Sequence, residues 1–291
     1  VKVAVIAHAG KTFGGGLPEL RRVLDAQGVH DPIWHEVPKS KKAPREVQRA
    51  LDEGAELILA WGGDGMVRRC INAIGDADVE LAILPAGTSN LFAANLGIEQ
   101  DIEAAVRVAL YGDSRRLDVG RFNGERFGVM AGAGFDAAMI RGADDLKERL
   151  GRAAYVFSGA TNLRTESFGA KIKVDGTPWY EGPASCILLG NVGNLFGGIE
   201  VFGDAAADDG LLDLGVVTAE GPVQLARTMA RTAVGDPQKS PYVRVTKARK
   251  VRVKLDRKVR YELDGGDRSK VAKFKVDVEP RAVTVRVPRA A

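Results

Sequence analysis

Four short stretches of this chain pair glycine with acid, amide or hydroxyl side chains, a combination suited to phosphate chemistry. The first is Gly62-Gly63-Asp64-Gly65, entered from the apolar run 57–61 and followed by a helical stretch over 67–74. Glycines let the backbone turn sharply and approach a ligand closely. A helix starting there offers free N–H groups and the positive end of its dipole to phosphate. Asp64 is unwelcome beside phosphate unless it meets Mg²⁺, directly or through water. The same tetrapeptide also reads as a plain strand-to-helix turn with Asp64 as N-cap. The second stretch, Leu84-Pro85-Ala86-Gly87-Thr88-Ser89-Asn90, repeats the strand–loop–helix pattern. Gly87 gives backbone access, and Thr88, Ser89 and Asn90 carry donors for phosphate or ribose oxygens. Alone, it is equally a turn capped by Ser89 or Asn90.

The other two stretches are acidic. Asp208-Asp209-Gly210-Leu211-Leu212-Asp213 reads by itself as a β-turn with Asp at its usual position. In Glu262-Leu263-Asp264-Gly265-Gly266 the Asp-Gly pair is a hairpin signal. Near the start, Ala7-His8-Ala9-Gly10-Lys11-Thr12 follows a β-branched run; Gly10 and Lys11 can meet phosphate, or Lys11 is a solvated loop lysine. Glycines 14–16 are wrongly spaced from any Gly-Lys-Ser/Thr to form a Walker loop.

These loops need elements to hold them. Strands are expected at 2–7, 33–37, 57–61 and 81–84, alternating with helices at 18–27, 44–53, 67–74 and 102–111. That order predicts an open, largely parallel sheet covered by helices. Loops at the C-terminal ends of its strands lie side by side, where such sheets bind ligands. Beyond residue 117 the pattern changes. Strands are expected at 184–189, 211–217, 250–255, 274–278 and 283–287, with helices at 144–163 and 222–234. In 250–255 basic and apolar residues alternate, so they face opposite ways. The fold class is therefore α/β plus all-β, with residues 1–118 as the α/β domain and 119–291 as an antiparallel, sandwich-like domain. A ligand is expected in the cleft between them.

At 45 % hydrophobic and 27 % charged residues, the composition predicts packed cores and not disorder. No apolar run is long enough to span a bilayer. No signal peptide is visible. Cys70 and Cys186 stand in apolar segments and are expected to be buried free thiols in a reducing cytoplasm. The net charge of +4 suits an anionic partner such as ATP or a phospholipid surface, and is too small to indicate nucleic acid.

Gly-Gly-Asp-Gly followed by Pro-Ala-Gly-Thr-Ser-Asn resembles the catalytic domain of the diacylglycerol kinases, shared by sphingosine kinases, in a superfamily that includes NAD kinases. The order of the remaining segments agrees over nearly the whole chain. The resemblance implies an NAD-kinase-like first domain, a β-rich second domain, and transfer of the ATP γ-phosphate to a lipid hydroxyl. It implies nucleotide binding at Gly10, Lys11, Gly62, Gly63, Asp64, Gly65, Gly87, Thr88, Ser89 and Asn90. It places a structural Mg²⁺ at the Asp209 carboxylate with the Ala206 and Leu211 carbonyls. It makes Asp264 the general base for the lipid hydroxyl. The sequence departs from the family at the Asn-Pro of the first loop, which is absent, at Met66 (usually Thr), at Leu91 (often Asp) and at Gly266 (usually Glu). The expected protein is a cytoplasmic, peripherally membrane-associated kinase with a lipid partner, no nucleic-acid partner, and homodimerisation left open. An NAD-kinase-like enzyme for a soluble substrate, and a non-catalytic nucleotide- or lipid-binding homologue, are the alternatives.

Overall fold

The computed structural model describes residues 1–134, 167–195, 199–219 and 240–289. The chain divides into two compact units, Val1–Asp118 with Arg281–Ala291, and Val119–Pro280. The segment 281–291, expected in the second domain, belongs to the first.

In the first unit the order is β1 (Val3–His8), α1 (Gly16–Ala26), β2 (Ile33–Val37), a 3₁₀ turn (Ser40–Lys42), α2 (Ala43–Asp52), β3 (Leu57–Gly62), α3 (Asp64–Ile74), β4 (Glu80–Pro85), α4 (Leu91–Asn95) and α5 (Ile102–Tyr111). The four strands are parallel in the order β2-β1-β3-β4. Every residue of β3 is buried, as expected of a parallel strand covered on both faces. α1 covers the sheet with Leu20, Val23 and Leu24, α3 with Val67, Cys70, Ile71 and Ile74. Burial pushes the Cys70 thiol up to about 12, which leaves it an inert core group. Strand order reverses at β1, with β2 added on one side and β3 on the other, so the loops leaving the C-terminal ends of β1 and β3 diverge. That is the topological switch point where open α/β sheets hold ligands.

The remaining strands are β5 (Asp113–Phe122), β6 (Glu125–Phe127), β7 (Met130–Ala133), β8 (Phe168–Val174), β9 (Thr177–Ala184), β10 (Cys186–Gly190), β11 (Asn194–Leu195), β12 (Ile199–Glu200), β13 (Leu212–Val217), β14 (Val243–Ala248), β15 (Lys250–Leu263) and β16 (Gly266–Val287). The strands expected at 274–278 and 283–287 are thus parts of one long strand, in which Arg281 takes a φ of 52°. Its end pairs in parallel with β4, Thr284 opposite Glu80 and Val285 opposite Leu81. The buried Asp118 carboxylate accepts the Arg281 N–H at 2.8 Å, and Arg286 forms an ion pair with Glu80. These bonds are why the C-terminal segment belongs to the first unit.

The second unit is antiparallel, in the order β14-β13-β10-β7-β15, with β8 and β9 continuing from the first half of β15. β15 changes neighbours because its pairing with β16 shifts register between Lys254 and Val259, an irregularity of the kind that bends a strand. Its core joins Phe122, Phe127, Phe168, Leu189, Leu214 and Phe274, with the Phe122 ring stacked on Tyr261 at 4.5 Å and on Phe274 at 4.6 Å. The helices expected at 144–163 and 222–234 lie outside the described residues.

Candidate functional site

The first unit brings together the loops the sequence singled out. Gly63 and Gly87 meet backbone to backbone: a methyl group on Gly87 would lie 2.5 Å from the Gly63 Cα and 2.7 Å from Asn90 Oδ1. Only glycine permits this approach. The Asp64 carboxylate completes the join, accepting the N–H groups of Leu91 and Phe92, each at 3.0 Å. In this structure Asp64 therefore fastens its loop to the start of α4.

Asn90 has a structural role as well. It takes a left-handed φ of 45° and is buried. Its Oδ1 accepts the Gly87 N–H and its Nδ2 donates to the Gly87 carbonyl, both at 2.9 Å. Both ends of its amide thus shape the loop. The exposed Thr88 and half-buried Ser89 lie between Gly87 and Asn90. Met66 is also explained: a methyl on Gly62 would lie 2.7 Å from Met66 Cβ, and Met66 is 1 % exposed. Its side chain is core packing.

Across the switch point, Trp61 Nε1 donates to the Lys11 carbonyl at 3.2 Å. The Gly10 and Lys11 N–H groups turn back onto His8 Nδ1 and the His8 carbonyl. Lys11 borders a depression of about 580 Å³ lined also by Thr12, Gly14, Gly15, Arg21 and Glu36. None of residues 62–65 or 87–90 lines it. At the start of α1 the Gly15 N–H is taken by the Glu19 carboxylate at 2.6 Å. An anion already caps that helix, so glycines 14–16 form no phosphate cradle.

Gly87→Ala is expected to force the two loops apart, costing about 1–3 kcal/mol and lowering nucleotide affinity at least tenfold. Thermal unfolding and calorimetric titration with ATP check this. Unchanged affinity would detach the loop contact from nucleotide binding.

In the second unit, Asp264 and Gly265 are the two central residues of the β15–β16 hairpin, with φ values of 46° and 72°, the left-handed pair this turn requires. The buried Asp264 carboxylate accepts three backbone N–H groups: Gly128 at 3.0 Å, and Val129 and Met130 at 2.9 Å each. Asn191 grips the same segment, its Nδ2 donating to the Gly128 carbonyl at 2.9 Å. Asp264, the expected base, thus anchors the 128–130 backbone.

Two residues earlier stands a group that no motif singles out. Glu262 is 2 % exposed, and among the described residues neither carboxyl oxygen has a hydrogen-bond partner. Gly132 lies opposite it on β7. Burial, reinforced by the charges of Asp264 and Asp267, pushes its carboxyl up to about 8. Glu262 and Leu263 alternate to opposite faces of β15, and both are buried.

The expected structural metal ligands sit on one turn, but already bonded. The Asp209 N–H donates to the Ala206 carbonyl at 3.5 Å, and Asp209 Oδ1 accepts the Leu211 N–H at 2.9 Å. Asp209 Oδ2 accepts from Lys247 Nζ at 2.7 Å. Lys247 Nζ also donates to the Asp204 carbonyl at 2.8 Å and lies 3.9 Å from Asp213. Partial burial works to lower the Lys247 pKa, but its hydrogen bond to Asp209 and the charges of Asp213, Asp209 and Asp204 raise it overall. Burial pushes Asp213 up to about 6, against the pull of Lys247. As arranged, these residues do not fit Mg²⁺: the carboxylate that should bind it is held by an ammonium. Among the described residues, no cluster of three or more His, Cys, Asp or Glu side chains is placed to hold a metal ion.

A nucleotide-type α/β unit carrying paired glycine loops, joined to an antiparallel β unit, defines a class of protein, and comparison with known families agrees. Residues 2–122 match the diacylglycerol kinase catalytic domain, and residues 129–287 match the YegS C-terminal NAD kinase beta sandwich-like domain. The chain belongs to this diacylglycerol kinase and YegS-type family. It is 35 % identical over 197 residues to a probable YegS-like lipid kinase of Pseudomonas fluorescens, covering 66 % of this chain and 64 % of that one. It is 27 % identical to a diacylglycerol kinase of Staphylococcus aureus, covering 95 % of this chain and 88 % of that one. The fold matches that of a diacylglycerol kinase from Bacillus anthracis with a TM-score of 0.76 at 22 % identity, covering 98 % of this chain and 96 % of the other.

Proposed function

We propose that this chain is an ATP-dependent lipid kinase, transferring the γ-phosphate to a hydroxyl of diacylglycerol or a related lipid. The observation that carries this reading is the backbone contact of Gly63 with Gly87 at adjacent strand ends, locked by Asp64 and Asn90. Two glycine-bearing turns held together in this way suit a polyphosphate. Lys11 adds a cation at the neighbouring strand end. ATP is the co-substrate, and Mg²⁺ would arrive with it as part of the nucleotide. Asp264 is the general base. As the lipid oxygen bonds to the γ-phosphorus, its proton passes to the carboxylate and the bond to ADP breaks. Among the described residues no helix is long and apolar enough to cross a membrane. The reading is therefore of peripheral contact with a lipid surface, with the exposed Lys250, Arg252 and Lys254 of β15 as candidates to meet anionic head groups.

The test is a panel of lipid hydroxyl acceptors in vesicles, with γ-phosphate-labelled ATP and Mg²⁺, and NAD as the competing soluble acceptor. Label entering lipid is the expected result. Label in NAD alone would replace the lipid reading, and ATP binding without transfer would mark a non-catalytic homologue.

A further inference from the structure

The turn 206–211 presents an anionic surface that needs a positive partner, and the fold supplies one covalently. β13 and β14 pair with Asp213 directly opposite Lys247, while their neighbours Leu212 and Ala248 face each other in the core. This register fixes where the lysine emerges. Its Nζ reaches the Asp209 carboxylate and the Asp204 carbonyl within hydrogen-bond distance, with Asp213 alongside. Gly210, with a φ of 74°, lets the turn bend so that the Leu211 N–H holds the other Asp209 oxygen.

Mg²⁺ demands near-octahedral coordination at about 2.0–2.1 Å and gives up its waters reluctantly. An ammonium 2.7 Å from the same carboxylate opposes it sterically and electrostatically. From this geometry we infer that Lys247 is the built-in cation of the Asp204–Asp209–Asp213 cluster. The second unit keeps this turn without a divalent ion, at the place where the family resemblance implies a structural Mg²⁺. A lysine on the adjacent strand makes the turn's integrity independent of free Mg²⁺.

The experiment is thermal unfolding of the full chain in EDTA and in millimolar Mg²⁺, with neither ATP nor lipid, so its outcome is separate from that of the kinase assay. The variants are Lys247→Met, Lys247→Arg and Asp209→Asn. Wild type and Lys247→Arg are expected to unfold at the same temperature with or without Mg²⁺. Lys247→Met is expected to lose about 5 °C in EDTA, since it leaves acids uncompensated, and to regain most of that loss with Mg²⁺. A wild-type midpoint that rises with Mg²⁺, in a way Asp209→Asn abolishes, overturns the inference and restores the metal. A Lys247→Met protein that matches wild type in EDTA, or that Mg²⁺ fails to rescue, also overturns it. If Lys247→Met cannot be purified, the wild-type and Asp209→Asn arms still decide.

Discussion

Asp264→Asn is expected to lower phosphoryl transfer by a factor of about 10³ while leaving ATP affinity nearly unchanged, the loss typical of a missing general base. The substitution also has a structural cost that can be separated from the chemical one. Asparagine tolerates the left-handed φ of 46°, so the hairpin turn survives. Its amide, however, replaces one acceptor oxygen with a donor, facing three N–H groups from Gly128, Val129 and Met130. Leaving one of them unsatisfied costs about 1–3 kcal/mol, or roughly 2–10 °C of midpoint. Activity is therefore measured well below the variant's own midpoint. If transfer returns to wild-type level once the protein is fully folded, Asp264 is an anchor and the base lies elsewhere. If it stays low with intact ATP binding, the base assignment stands.

The second large effect is on stability. Glu262→Gln is expected to stabilise the protein at neutral and alkaline pH by about 3 kcal/mol at pH 7. The sign follows from the direction of the shift. Burial holds the folded carboxyl up at about 8 against an ordinary value of 4.5, so the folded state binds this proton more tightly than the unfolded chain does. Its stabilising contribution is complete below the unfolded value and is lost progressively as pH rises from there toward 8. Glutamine carries no charge at any pH and keeps the shape. The two proteins should unfold at similar temperatures near pH 4 and diverge steadily to pH 8, with the variant higher by roughly 6–10 °C at pH 7. A midpoint difference that does not change with pH would show that Glu262 titrates like a solvated acid.

The elements of the first unit were legible in the sequence because each carried a local signal. β3 is a short apolar run between glycines, and α1, α3 and α5 repeat apolar residues at helical spacing. The paired glycine loops carry their signal in residue type, and so does the Asp264-Gly265 hairpin. Gly63 and Gly87 show why: their backbone demand is written in residue type. What each polar side chain does was decided by tertiary structure. Asn90 reads as a phosphate donor, and only the structure shows that its amide also closes on Gly87. Met66 reads as a lost hydroxyl until it packs on Gly62. The end of β16 reads as second-domain strand until Asp118 and β4 capture it. Lys247 and Asp209 stand far apart in the chain, and strand register alone makes them neighbours. Glu262 is the clearest case: no motif marks it, and only burial on its face of β15 raises its carboxyl. Residue type and spacing thus determined the folds of the two units and the loops that matter. Hydrogen-bond partners, burial and charge balance, which depend on residues distant in sequence, determined which side chains are free to act and which hold the scaffold.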